Sequence, residues 1–389
     1  MPLLARGRAN NCLEEPQIPS RSPRRLSLRE LNRARLARQL LLQRSPCTVP
    51  AAIEHLVALQ AQIPNDPYYA LAARLRDFRP QALAALIEQR RAVRMPLLRS
   101  TLHLVTTRDA FALQPVLAPV LERDFWASQY GPRLRGIDVP ALVTAAREII
   151  QELPRTNAEL GRLLALRCPD VPPAVLVYAA RALIPVAQPP PRGVWGKSGA
   201  PRLASLGTFL KASLDEAPAS DPSPDPLLLR YLRAYGPASV RDVQAWSGLS
   251  GVGEVIDRLR PRLRTFADES GRELVDVRGA PLPDPDVPAP PRFLPTYDNA
   301  LLAHADRTHI VGEAHRKQLL TRNGVGPGTV LIDGFVGATW TIEGTAASAA
   351  LCVTPLQPIP AATRAAVEDE ATSVLELAAP AMHHDVAWC

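Results

Sequence analysis

Lysine is nearly absent from this chain, occurring only at positions 197, 211 and 317. The net charge of +7 is therefore carried almost entirely by arginine, whose planar fork suits phosphate and groove contacts better than an ammonium group does. That permits a polyanion partner without requiring one, because Arg-, Ala- and Pro-rich usage also follows from a genome's base composition. Cysteine is scarce too. Cys12, Cys47, Cys168, Cys352 and Cys389 are scattered, odd in number and form no Cys-x-x-Cys pair. Such usage argues for a reducing, cytoplasmic setting and against a structural zinc or iron–sulfur site, so neither metal nor cofactor is expected. No apolar run approaches the ~18 residues that cross a bilayer, which excludes a membrane partner. Aromatic residues make up only 5% of the chain, little material for a pocket that stacks an extruded base. Glycine-rich phosphate loops, zinc-ligand spacings and Ser/Cys-His arrangements are also missing.

At 389 residues the chain is long enough for several buried cores. Residues 1–26 hold five arginines and no apolar segment of signal-peptide type, and are expected to be a disordered basic tail. Helices are predicted over 28–44 and 49–61, the second with Thr48 as N-cap, then over 67–76 and 80–90. Alternation at 92–95 and 100–106 predicts paired strands, so 27–136 reads as a winged helix, closed by a helical stretch at 109–128 kinked or divided at Pro115 and Pro119. The pattern recurs over 137–215, with a capping box at Thr156–Glu159 and a wing tip at 189–199. It recurs again over 225–280, with helices at 225–235, 239–246 and 250–259 and strands at 263–267 and 273–277. Segments rich in Pro, Ser or Asp at 216–226 and 281–291 read as linkers. Over 292–379 glycine-punctuated short strands precede a helix at about 360–377, and 380–389 is expected to fray. The predicted fold class is α+β: three tandem winged-helix units followed by a small, mostly antiparallel β region.

One stretch carries a chemical reading. Gln60 and Gln62 flank Ala61 just before Pro64, which ends the predicted helix, so both amides can turn to one side and hold one water. Leu59 before the Gln-Ala-Gln triplet and Pro67-Tyr68-Tyr69-Ala70 after it, with Arg99-Ser-Thr-Leu-His-Leu-Val105 and Tyr297-Asp-Asn-Ala-Leu-Leu-Ala-His304 further on, resemble the AlkZ-type DNA glycosylases. These belong to a larger winged-helix family that includes the YcaQ-type crosslink glycosylases. The resemblance runs from about residue 28 to about 355. YcaQ-type members carry an acid where this chain has Gln62, so the triplet points to the AlkZ branch. The resemblance implies a monofunctional glycosylase that removes bulky N7- or N3-alkylated purines or crosslinks from double-stranded DNA, often as self-resistance to a DNA-alkylating natural product. A monomer is expected.

The chemistry agrees with the residues. An N7- or N3-alkylated purine is cationic and departs as a neutral base, so no strong general acid is needed. The transition state needs a positioned water and support for a sugar with oxocarbenium character, both of which amides can supply. Gln60 and Gln62 are therefore the candidate catalytic residues. Arg99 and His103 on the first ribbon, and Trp195, Lys197 and Arg202 around the second wing, are candidates for phosphate or groove contact. The competing expectation is a winged-helix regulator or adduct-binding protein without catalysis. It would ordinarily show a dimer interface and a base-reading helix, and neither is legible. Asp298 and His304 lack a partnering nucleophile and read as a structural helix entry.

Overall fold

The computed structural model describes residues 23–211, 222–319, 326–345 and 347–389. Residues 1–22 of the expected tail, 216–221 of the first linker and Gly324 lie outside the described residues. The tail expectation fails at its inner end. Leu26 is buried against Phe266 and Leu274, its amide donates to the Ala267 carbonyl at 2.8 Å, and the Ala267 amide donates to Arg24 at 3.0 Å.

The first helix, α1 (Leu28–Arg38), starts at a capping box in which Ser27 and Glu30 satisfy each other's backbone amides. It ends well before residue 44 because Leu40 turns into the left-handed region (φ 59°). Next come α2 (Val49–His55), capped by Thr48, β1 (Leu59–Gln60), α3 (Asp66–Ala72), α4 (Pro80–Glu88), β2 (Ala92–Pro96) and β3 (Leu102–Thr106). In the resulting antiparallel sheet β3 lies between β1 and β2. The following helix, α5 (Thr107–Ala127), is undivided despite Pro115 and Pro119. These prolines are four residues apart, so both missing amides fall on one side of the helix. That side is partly exposed, while Leu113, Val116, Leu117 and Val120 anchor the opposite face in the core.

A second run comprises α6 (Val139–Glu152), β4 (Arg155–Thr156), α7 (Asn157–Ala165), α8 (Pro173–Leu183), β5 (Val186–Ala187), β6 (Arg202–Ser205) and α9 (Leu206–Leu210), with β6 central in a small antiparallel sheet. A third comprises α10 (Asp225–Tyr235), α11 (Val240–Ser247), α12 (Val252–Leu259) and the antiparallel pair β7 (Leu263–Ala267) and β8 (Glu273–Val277). Its boundaries are within a residue or two of the sequence expectation, since the Ser239/Asp242 capping box and the alternation in both strands fix them locally. Three of the four arginines in the basic run at 258–264 are paired within the fold, Arg258 with Asp225, Arg260 with Asp257 and Glu273, and Arg264 with Asp276, while Arg262 is exposed.

The C-terminal region contains β9 (Arg292–Leu294), α13 (Asn299–Leu302), α14 (Glu313–Leu319), β10 (Gly328–Ile332), β11 (Phe335–Gly344), β12 (Ser348–Pro355), α15 (Ala361–Ala378) and β13 (His383–Trp388). The expected glycine punctuation does not break the strand at Gly337, which lies inside the ten-residue β11. Fraying at 380–389 is contradicted. That segment forms the parallel edge strand β13 on β12, and Cys389 is joined to Cys352 by a disulfide, against the expectation of unpaired cysteines.

Buried ion pairs join the parts. Arg38 on α1 grips Asp276 on β8 through two bonds of 2.6 and 2.9 Å, and Arg74 grips Asp298 at the entry to α13 at 2.8 and 2.7 Å. One apolar core is shared by the first sheet, α5 and α10–α12. The glutamine segment therefore sits on a continuous scaffold.

Candidate functional site

Helical structure stops at His55, so the glutamines do not occupy a helix end. Val57 takes a left-handed conformation (φ 69°) and sends the chain into β1, where Gln60 pairs opposite His103. The pairing continues one residue further, with the Ala61 amide donating to the Leu102 carbonyl at 2.8 Å. The strand ends there: Gln62 follows at a bend, so the helix-unwinding argument for a convergent pair falls away.

The segment is held by side chains distant in sequence. Tyr235 donates to the Leu56 carbonyl at 2.8 Å, Asn299 donates to the Ala58 carbonyl, and Arg94 donates to the Ala61 carbonyl at 2.7 Å. Arg94 and Asn299 were not among the sequence candidates. Asn299 lies in the Tyr-Asp-Asn motif and Arg94 is a charge inside a strand, the only signals that could have marked them. Arg94 also receives the segment that precedes β6. The Gln188 amide donates to its carbonyl at 2.8 Å, and Gly193 (φ 91°) packs so closely that an added Cβ would lie 2.6 Å from the Arg94 side chain.

Gln60 is 7% exposed, and its Oε1 accepts from Arg99 Nη2 at 2.9 Å. Its Nε2 donates to nothing among the described residues. Gln62, at the rim, is exposed, and its amide is unengaged among the described residues. Arg99 sits in the β2–β3 hairpin with φ 53°, followed by Ser100 with φ 55°. Its Nη1 reaches the Trp246 carbonyl at 3.3 Å, and no carboxylate pairs with it among the described residues. Burial lowers its pKa to about 10, so it stays charged at neutral pH. Ser100 is tied to Asp124 on α5 at 2.7 Å, fixing the hairpin tip.

His103 is fully buried on the central strand, which removes it from surface contact with DNA. Its Nδ1 donates to the Thr101 carbonyl at 3.0 Å, and burial, assisted by Arg99, pushes its pKa down to about 3. Trp195 is half-buried against Tyr68 and Tyr69, at ring separations of 4.8 and 5.9 Å, and its amide donates to the Tyr68 hydroxyl at 2.9 Å. It thereby locks the segment between β5 and β6 to the Pro-Tyr-Tyr segment. Lys197 is exposed and paired with Glu88 at 2.5 Å. Arg202 spans the Pro154 carbonyl and Glu159, both at 3.1 Å.

Asp298 and His304 do not form a dyad. Asp298 caps α13 and binds Arg74, while His304 packs beside Tyr231 and His309. The segment joins α10–α11 to the C-terminal region, through Tyr231 donating to Ala303 and Asp242 accepting from the Ala305 and Asp306 amides. Among the described residues no group of three or more His, Cys, Asp and Glu side chains is placed to hold a metal ion, and no helix is long and apolar enough to cross a membrane.

The model of the family described as DNA glycosylase AlkZ-like matches residues 53–377. The chain belongs to the AlkZ-like DNA glycosylase family. It is thus a glycosylase, and DNA is its partner. Its fold is similar to that of the Streptomyces sahachiroi DNA glycosylase AlkZ, with a TM-score of 0.76 at 19% identity, over 94% of this chain and 100% of that one. No curated protein sequence matches the chain.

Proposed function

We propose that this AlkZ-like glycosylase hydrolyses the N-glycosidic bond of bulky N7- or N3-alkylated purines or crosslinks in duplex DNA, acting as a monomer and protecting its host from a DNA-alkylating natural product. The observation that carries this reading is the Gln60-Ala61-Gln62 triplet at the end of β1, amides rather than acids, with Gln60 buried in the strand and Gln62 exposed just beyond it. An amide is a poor base. It can orient a water towards the anomeric carbon but cannot activate it strongly, so it suits substrates whose leaving group is already cationic.

The three successive helix-and-sheet runs are, in this reading, three winged-helix units that together form the DNA-facing surface. Trp195 docks the second wing beside the glutamine segment. Lys197 and Arg202 remain partly exposed and are the phosphate contacts of this reading, since giving up an exposed carboxylate partner costs about 1 kcal/mol or less. The adduct is attacked from the groove, in keeping with the scarcity of aromatic residues.

The test is incubation with duplexes that each carry one N7- or N3-alkylated purine, then heating with base. Strand breaks at the adduct are expected. Intact strands across the whole panel would contradict the assignment.

A further inference from the structure

Arg99 is bonded to Gln60, and its chemistry constrains what that glutamine can do. A guanidinium has donors and no acceptor, so the Gln60 atom that faces it at 2.9 Å must be the carbonyl oxygen. The usual ambiguity of an amide flip is thereby removed. With the oxygen held, the amide nitrogen is the end left to act. Gln62 has no such restraint and can present its oxygen.

We propose that Arg99 is a positioning residue that locks Gln60 as a hydrogen-bond donor, so that Gln60 holds the oxygen of the attacking water while Gln62 accepts its proton-bearing side. This inference rests on the glutamine-pair reading above. A water so placed uses one lone pair for the Gln60 N–H, one O–H for the Gln62 carbonyl and the remaining lone pair for the anomeric carbon. As that C–O bond forms, the glycosidic C–N bond breaks with its electron pair going to the cationic purine, which leaves as a neutral base, and the excess proton of the water passes to solvent. The negative end of the Gln62 amide is the one available to the positive charge that develops on the sugar.

Two further features favour this role. Arg99 holds its place without a carboxylate, by two neutral carbonyl acceptors, Gln60 Oε1 and the Trp246 backbone oxygen. Its backbone is left-handed, and the next residue is fixed by the Ser100–Asp124 bond, so the hairpin tip is set from α5 and α11 together. A surface phosphate ligand would need no such cradle.

The experiment is a mutant cycle of Arg99→Met and Gln60→Ala, using single-turnover excision from a duplex with one N7-methylguanine, with DNA affinity and melting temperature measured for each variant. Arg99→Met is expected to slow excision about tenfold to a hundredfold, the cost of a misplaced reacting group, with affinity unchanged. In the Gln60→Ala background it is expected to cost less than about twofold, because a residue acting only through Gln60 has nothing left to act on. Arg99→Lys, which still only donates, is expected to recover part of the rate, and it replaces Arg99→Met in the cycle if that variant does not fold. Losses that multiply across the cycle, or weaker DNA binding with a shallower salt dependence, would overturn the inference and make Arg99 an independent contact. If Gln60→Ala alone excises at the wild-type rate, the glutamine reading itself fails, which is a distinguishable result.

Discussion

Gln60 and Gln62 have the same side chain and opposite surroundings: one is buried with its carbonyl held by a cation, the other is exposed and unengaged. Their neighbour His103 shows how far burial has removed ordinary acid–base chemistry from this sheet. Its pKa is pushed down to about 3, and His304 and His309 are also held well below 6.5 by burial. A group whose folded pKa is depressed supports stability above its unfolded value and loses it as pH falls. These three histidines therefore withdraw stability on acidification from about pH 6.5 downwards. Asp66 acts in the opposite sense, because burial raises it to about 7 and its penalty is relieved on acidification. Three groups outweigh one, so the melting temperature should be lower at pH 5 than at pH 7. A flat or inverted dependence would show that these histidines titrate freely. The glutamine pair itself was legible in the sequence; its contrasting surroundings, one buried and one exposed, were not. The partner of Gln60 was not, since nothing in the spacing between residues 60 and 99 announces a bond between them.

At the scale of elements, legibility followed the range of the forces involved. Strands β7 and β8 and helix α11 were readable because a capping box and strict alternation are local signals. The turn into β1 was not. Ile53, Leu56, Val57 and Leu59 are all buried, and their spacing fits a continued helix as well as a helix followed by a strand. What decides is capture of the Leu56, Ala58 and Ala61 carbonyls by Tyr235, Asn299 and Arg94. Strand β13 was missed for a related reason, as its register is set by β12 rather than by its own sequence. The α11 cap offers a graded test. Ser239→Ala removes one cap and should cost about 1 kcal/mol in chemical denaturation. Asp242→Ala should cost more, because Asp242 also accepts from the Ala305 and Asp306 amides and would leave buried donors unpaired. Equal losses would mean that the tie to 305–306 contributes nothing.

For the whole molecule, the buried pairs Arg38–Asp276 and Arg74–Asp298 and the partly buried pair Arg230–Asp109 bind the first helix-and-sheet run to the third and to the C-terminal region. Arginine is thus divided between structure and surface; each pair cancels and leaves the net charge of +7 unchanged, so it is the number of arginines that overstates the cations free to meet DNA. If about five phosphates are neutralised, log affinity should fall against log salt with a slope near −4 to −5. Binding unchanged between low and moderate salt would argue against a basic groove. The central claim is that the two amides hold one water, and single-turnover excision from an N7-alkylated duplex by Gln60→Ala, Gln62→Ala and the double variant tests it most directly. Each single change should cost on the order of 2–4 kcal/mol of transition-state stabilisation with DNA affinity intact, and the double variant should lose less than the product of the two. Wild-type rates in both single variants, on an adduct the parent protein clears, would contradict it.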